Sequence, residues 1–358
     1  MRTTYNAQSY PVSLKRSGDG YTYIKVTAQD AWGHATVIEE GNGVTVTRGY
    51  HQATGLAAST IASGPQGQVA HLTTTWDGFG NLHTRSAVDE LDGGTSTETA
   101  SYDALNRLIG TTLSPAGTGT TLTRSYAYDA SGNRTQACLN GNCTTYGYGA
   151  SGAGPHALTS ASDGSHYSYT AGGEMSSGAG RSLDWAAFGK ARKITKGANT
   201  VHLYYGPNHA RYKKTVTQSG ESVYYLQGAE RLTVAGNASL RRTLSLAGLT
   251  VIDTGGAQAK LLYAVKDHLG STMALTKANG QLTTQMSFSP FGQRRTHAWA
   301  QSMTAATAWA INTTKTDKGY TGQESLDAVG LVNYNARLYD PKIGRFLSTD
   351  PLDRKSVV

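Results

Sequence analysis

Charge is scarce in this chain. Lys, Arg, Asp and Glu make up 16% of its 358 residues, against the usual quarter. An extended coiled coil, which needs charge-flanked heptads, is excluded. Pro is scarce too, at 8 residues, while Gly reaches 43. Collagen-like repeats need far more of both. No apolar run of 18 residues exists, so no helix is expected to span a bilayer. The opening Met1-Arg2-Thr3-Thr4-Tyr5-Asn6 is polar, with no apolar stretch behind it, so no secretory signal is expected. It reads as sequence from within a domain. Export would use a route that does not read such a signal, or the chain would leave as part of a longer one. Basic runs are absent as well. The net charge is +8, but no four Lys or Arg are consecutive. The densest spots are Arg241-Arg242, Arg294-Arg295 and Lys213-Lys214. These read as solvated strand faces, and no nucleic-acid partner is expected.

Tyrosine is abundant, with 21 residues beside 5 Trp and 5 Phe. That content does not fit disorder. The aromatics mark a repeat. Trp76-Asp77-Gly78-Phe79-Gly80-Asn81, Tyr102-Asp103-Ala104-Leu105-Asn106-Arg107 and Tyr128-Asp129-Ala130-Ser131-Gly132-Asn133 recur at a spacing of 26. Looser copies begin at Asp30, Tyr167, Leu183, Tyr205 and Phe288. In each, an aromatic ends a strand. Asp then caps a tight turn, and Gly or Asn accepts a positive φ. Alternating segments such as Tyr21-Thr22-Tyr23-Ile24-Lys25-Val26 carry the strand period. The fold class is all-β: hairpins stacked side by side, because a lone hairpin is unstable. One Ala-rich segment, Ala298 to Ala310, is spaced for a short helix, with an ordered loop as the alternative.

Cys138 and Cys143 flank Asn140-Gly141, a strong two-residue hairpin signal. They face each other in a close non-hydrogen-bonded pair, which accepts either a disulfide or two free thiols. The ten His residues make no His-Glu-x-x-His or His-x-His pattern, so neither metal nor cofactor is expected. Asp267, His268 and Ser271 are too close in sequence for a catalytic triad and read as a turn. The Tyr residues could stack on sugars or other polymers, or pair across strands to stabilise the sheet.

The last segment carries the most specific signal. Tyr320-Thr321-Gly322-Gln323-Glu324 leads to Gly330-Leu331-Val332-Asn333-Tyr334-Asn335-Ala336-Arg337-Leu338-Tyr339-Asp340-Pro341, then Gly344-Arg345-Phe346-Leu347-Ser348-Thr349-Asp350-Pro351-Leu352. This resembles the core signature of the RHS-repeat family of bacterial rearrangement hotspot proteins. Asp267-His268-Leu269-Gly270-Ser271 and Ser289-Pro290-Phe291-Gly292 resemble two further elements of that family. The aromatic-Asp units resemble its YD repeats.

The resemblance implies a continuous sheet that spirals into a hollow shell around a toxic C-terminal passenger, with the core signature as a plug. It divides the chain into a shell segment over 1–319, a core over 320–353 and a tail over 354–358. The expected partners are an own or fused toxin domain, and a toxin-complex or N-terminal shell partner or secretion apparatus. A cell-surface glycan is a further candidate. The expected location is the cytoplasm before export, then the exterior or a target cell. The family core also resembles an intramolecular aspartic protease. On this resemblance Arg337 and Asp350 are the candidate catalytic residues, with Asp340 as a weaker substitute for a second Asp. A carboxylate pair sharing one proton can activate water. The sequence ends eight residues after Asp350, so the second Asp, the scissile bond and the toxin are expected to be missing, and Asp340 is expected to serve its turn.

Overall fold

The structure, a computed structural model, describes residues 1–254, 261–300 and 302–350. Within each sheet, every strand pairs antiparallel with the next in sequence. Strands from Arg2 to Ala161 form one 14-stranded sheet, and strands from Ser168 to Gln285 form a 13-stranded sheet, both in strict chain order. An isolated bridge between Ser160 and His166 links the two. The all-β expectation holds.

The order follows from one turn used repeatedly. Asp77 Oδ1 accepts the amides of Phe79 and Asn81, each at 2.9 Å. Asp103 Oδ1 accepts those of Leu105 at 3.0 Å and Arg107 at 2.9 Å. The backbone closes the same five residues: the amide of Asp77 donates to Asn81 O at 2.9 Å, and that of Gly80 to Asp77 O at 3.1 Å. The fourth residue is left-handed, with φ 81° at Gly80, 58° at Asn106 and 83° at Gly132. These residues are Gly or Asn because other side chains meet their own backbone there. The looser copies starting at Thr170, Ala186, Gly206 and Ser289 keep the backbone bonds without the Asp.

The aromatic before each turn links neighbouring repeats. The strand bulges at Trp76 and Tyr128, which re-aims the side chain. Tyr102 Oη then donates to Leu82 O at 2.9 Å, and Leu82 is the residue paired with Trp76. Tyr128 reaches Leu108 O at 2.8 Å, and Leu108 pairs with Tyr102. Tyr148, Tyr169, Trp185 and Tyr205 continue the ladder onto Arg134, Leu158, Met175 and Ala191. Each ring therefore ties its repeat to the one before, at about 1 kcal/mol per bond.

Alternate residues point inward. The strand Thr95–Tyr102 buries Ser96, Glu98 and Ala100. The ribbon doubles back, so its first and last strands share one core that includes Tyr23, Ile24, Val46, Val251, Tyr263 and Val265. Polar contacts lock this seam: Tyr21 Oη lies 2.8 Å from Tyr263 Oη, and Asn42 Nδ2 donates to Thr276 Oγ1 at 2.8 Å. After Gln285 the chain leaves the large sheets. It forms a hairpin of Ser287–Phe288 with Arg294–Arg295, a helix Ala305–Thr314, and a four-stranded sheet of Glu324–Leu326, Leu331–Asn333, Leu338–Asp340 and Arg345–Phe346. Leu326, Val329, Leu331, Leu338, Ile343 and Leu347 from this segment pack with Leu183, Ile194, Val201 and Leu203.

Two sequence expectations are refined here. The helix exists but is shifted along the chain from 298–310. Thr304 caps it by accepting the amide of Thr307. Trp299 sits outside it in a left-handed turn at φ 65°, because its indole is buried beneath two guanidinium groups, 4.8 Å from Arg85 and 5.1 Å from Arg295. The second concerns the cysteines. Cys138 pairs with Cys143 in the expected register, and the structure joins them in a disulfide.

Candidate functional site

The chemistry of this molecule concentrates where the segment after Gln285 meets the inner faces of the strands. Three buried ionic clusters and one aromatic cluster hold it, each fixed by inward positions of the repeats.

The first centres on Glu98. Arg295 Nη1 approaches Glu98 Oε1 at 3.1 Å, and Arg85 Nη2 donates to Oε2 at 2.5 Å. Both guanidiniums also donate to Phe288 O at 2.7 Å. Burial opposes a charge on Glu98, but Arg85 and Arg295 outweigh it and hold the carboxyl at about 2. Burial pulls Arg295 down to about 10, against Glu98. Arg294, beside it, donates to Ser325 Oγ at 2.9 Å and Asn312 Oδ1 at 3.2 Å, joining hairpin, helix and small sheet.

The second centres on Glu324, in the Gly-Gln-Glu start of the core signature. Lys214 Nζ lies 3.0 Å from it, Tyr225 Oη donates at 2.7 Å, and Arg211 and Asn333 complete the shell of donors. Burial again opposes the charge, but Lys214 and Arg211 outweigh it and keep the carboxyl well below its ordinary range. Tyr225 thus departs from the carbonyl ladder of its predecessors.

The third is Asp340. It is fully buried and pairs with Arg181, whose Nη1 also donates to Val329 O at 3.2 Å. Its other oxygen accepts the amide of Lys342 at 2.8 Å. That bond is the turn bond of the other repeat Asp residues. The fourth is aromatic. Arg134 lies 4.6 Å from the ring of Phe291 and 5.3 Å from that of Tyr146, and Tyr339 Oη donates to Phe291 O at 2.9 Å.

The candidate catalytic pair does come together. Arg337 Nη2 lies 3.0 Å from Asp350 Oδ2, and its guanidinium stacks 3.9 Å over Phe346. Asp350 is partly open, with 38% of its side chain exposed. Asp340 and Asp350 are therefore held by different guanidiniums, Arg181 and Arg337. Asp267, His268 and Ser271 form a turn: the amide of Ser271 donates to Asp267 Oδ1 at 2.7 Å, and Ser271 Oγ accepts the amide of Thr321 at 3.1 Å. Burial pulls His268 down to about 4, against Asp267. Asp89, Asp92 and His297 also converge. His297 Nδ1 lies 2.8 Å from Asp89 Oδ2, so the ring is already held in a carboxylate contact.

The basic spots read from the sequence as solvated strand faces are not solvated throughout: Lys214, Arg241, Arg294 and Arg295 are buried. Sequence reasoning also did not foresee the roles of Arg85, Glu98, Arg181, Arg211 and Glu324. A signal was present for one of them. Glu98 occupies an inward position between Ser96 and Ala100, where an unpaired charge is unaffordable.

The comparisons agree with this architecture. Toxin subunit YenC1 of Yersinia entomophaga is 27% identical over 415 residues, covering 95% of this chain and 41% of that protein. The chain thus spans about two fifths of this relative's length. Among solved structures, the TcdB2–TccC3 complex matches with a TM-score of 0.76 at 22% identity, over 98% of this chain and 20% of that one. A Tc holotoxin pore of Photorhabdus luminescens carrying mutant TccC3 matches with a TM-score of 0.75 at 20% identity, over 97% of this chain and 19% of that one. These two likenesses concern the fold. The teneurin YD-shell family model matches residues 23–356, nearly the whole length, and the chain belongs to that family.

Proposed function

We propose that this chain is a shell segment that encloses a passenger polypeptide and delivers it. The supporting observation is the interior docking of residues 286–350 by buried ion pairs, which makes the inside of the ribbon a surface built to hold chain. In this reading residues 1–319 are the wall, 320–353 the plug and 354–358 a tail. The partners are a toxic domain, by analogy with the toxin subunit relative, and a toxin-complex or N-terminal shell component or secretion apparatus. The protein resides in the cytoplasm before export and acts outside the cell or in a target cell. The test appends an unstructured reporter after Val358 and challenges it with protease. The reporter is expected to survive as long as the shell is intact, and to become cleavable when Glu324→Gln loosens the plug. A reporter digested as fast as the free peptide overturns the reading.

A second reading, self-cleavage, rests on the contact between Arg337 and Asp350. Here Asp350, in contact with Arg337, activates water, and Asp340, already committed to Arg181, serves its turn. Intact mass decides it. Loss of a C-terminal fragment that Asp350→Asn abolishes supports cleavage; an unchanged mass at 37.8 kDa rejects it for this chain.

A further inference from the structure

Two turns, Asp267-His268-Leu269-Gly270-Ser271 and Ser289-Pro290-Phe291-Gly292, close over the inner face of the strands Leu82–Val88, Thr95–Tyr102 and Leu108–Ser114. Between them lies a cavity of about 330 Å³, with apolar walls from Trp76, Leu82, Tyr102, Leu108, Pro290 and Phe291. Leu269 also lines it and is 47% exposed, so the cavity opens to solvent beside that residue. Small organic ligands bind in spaces of this size and character. A second cavity of about 30 Å³ shares the His268 ring and has room only for water.

The polar side chains of the lining are engaged, with two exceptions. Trp76 Nε1 donates to Ala57 O at 2.6 Å, Tyr102 Oη to Leu82 O at 2.9 Å, and Asn81 Nδ2 to Asp77 Oδ2 at 3.0 Å. Ser289 Oγ accepts the amide of Gln293 at 3.0 Å. Arg85 and Glu98 pair with each other. Thr111 Oγ1 and His268 Nδ1, by contrast, are buried with no hydrogen-bond partner among the described residues. Thr111 is only 4% exposed. It pairs with Ala100 across the sheet, so its side chain lies on the same inward face. His268 meets the Trp76 ring edge-on at 5.9 Å. Burial keeps this imidazole neutral, so it retains one bare nitrogen able to accept a bond.

A buried hydroxyl without a partner costs its full desolvation, and Val fills an inward strand position without that cost. An unpaired inward Thr beside an apolar cavity is therefore a group that a ligand can satisfy. The charge in the lining is already balanced, because Arg85 and Glu98 offset each other. A charged guest would lose its hydration there and gain no free counter-charge. The aromatic walls favour flat rings. We infer that this cavity binds a small uncharged compound of fused apolar rings carrying a hydroxyl group, which bonds to Thr111 Oγ1.

Equilibrium dialysis of the intact chain against 2-naphthol, naphthalene and 2-naphthoate tests this. 2-Naphthol is expected to bind saturably, and at least several-fold more tightly than either of the others. Thr111→Val should weaken 2-naphthol to the level of naphthalene and leave naphthalene unchanged. The same variant should melt no lower than the parent chain, since it removes only an unsatisfied hydroxyl. Ala100→Leu, which fills the cavity from the paired strand position, should abolish binding of all three. Thr111→Val carries the test should Ala100→Leu unfold. Absence of saturable 2-naphthol binding, equal affinity for 2-naphthol and naphthalene, or 2-naphthol binding indifferent to Thr111→Val overturns the inference. So does tighter binding of 2-naphthoate, or unchanged binding to a folded Ala100→Leu chain. A Thr111→Val chain that melts lower also overturns it, by showing the hydroxyl already engaged.

Discussion

Individual buried charges decide how this ribbon holds its last segment. Glu98 is the clearest case, because it faces Arg85 and Arg295 in a space closed to water. Removing one partner of such a group leaves the others uncompensated, at a cost of about 3–5 kcal/mol. Glu98→Gln is therefore expected to lower the urea midpoint with an unchanged m-value. The pH dependence has a definite sign. The folded carboxyl sits at about 2, below its ordinary 4.5. Its stabilisation is present above about 4.5 and is lost as pH falls through about 2. Glu40 runs the other way. Burial at the seam, only partly offset by Arg48 and Asn42, raises it to about 8. Its contribution is present below about 4.5 and is lost as pH rises through about 8. Glu40→Gln should leave stability at pH 4 unchanged and raise it by about 2–4 kcal/mol at pH 9. Denaturant melts at the two pH values check this.

At the scale of the element, the repeat unit is a turn with a carboxylate inside and an aromatic tie behind it. Asp103→Ala should lower the melting temperature, while Asp103→Asn, which keeps an acceptor for the amides of Leu105 and Arg107, should largely restore it. Tyr128→Phe removes only the bond to Leu108 O and should cost about 1 kcal/mol. This level of the structure was legible in the sequence. Asp and Gly or Asn act on their own backbone within five residues, so their spacing alone specifies the turn. The bulge at the aromatic and the destination of its hydroxyl were not legible, since both depend on the preceding repeat. The helix was displaced for a similar reason. Its Ala-rich pattern extended over Trp299, whose burial between Arg85 and Arg295 depends on residues far away in sequence.

At the scale of the whole molecule, the sequence disclosed the family and the succession of hairpins, but not how the ribbon closes on itself. Closure rests on pairs such as Glu98 with Arg295 and Arg181 with Asp340, separated by 197 and 159 positions. No local pattern announces such partners. Nor could spacing assign separate guanidiniums to Asp340 and Asp350, because Arg181 comes from a distant strand. The resemblance named Arg337 and Asp350, and the structure brings the two into contact.

The central claim is that the signature segment is interior, packed and pinned by the wall. Hydrogen exchange of the intact chain, read by mass spectrometry, tests it most directly. The account predicts that amides in Glu324–Leu326, Leu331–Asn333 and Leu338–Asp340 are protected as strongly as those of the wall strands Thr22–Gln29 and Leu261–Lys266, because both open only with the global fold. Exchange of the signature strands at the rate of an unstructured peptide, while the wall stays protected, would contradict it.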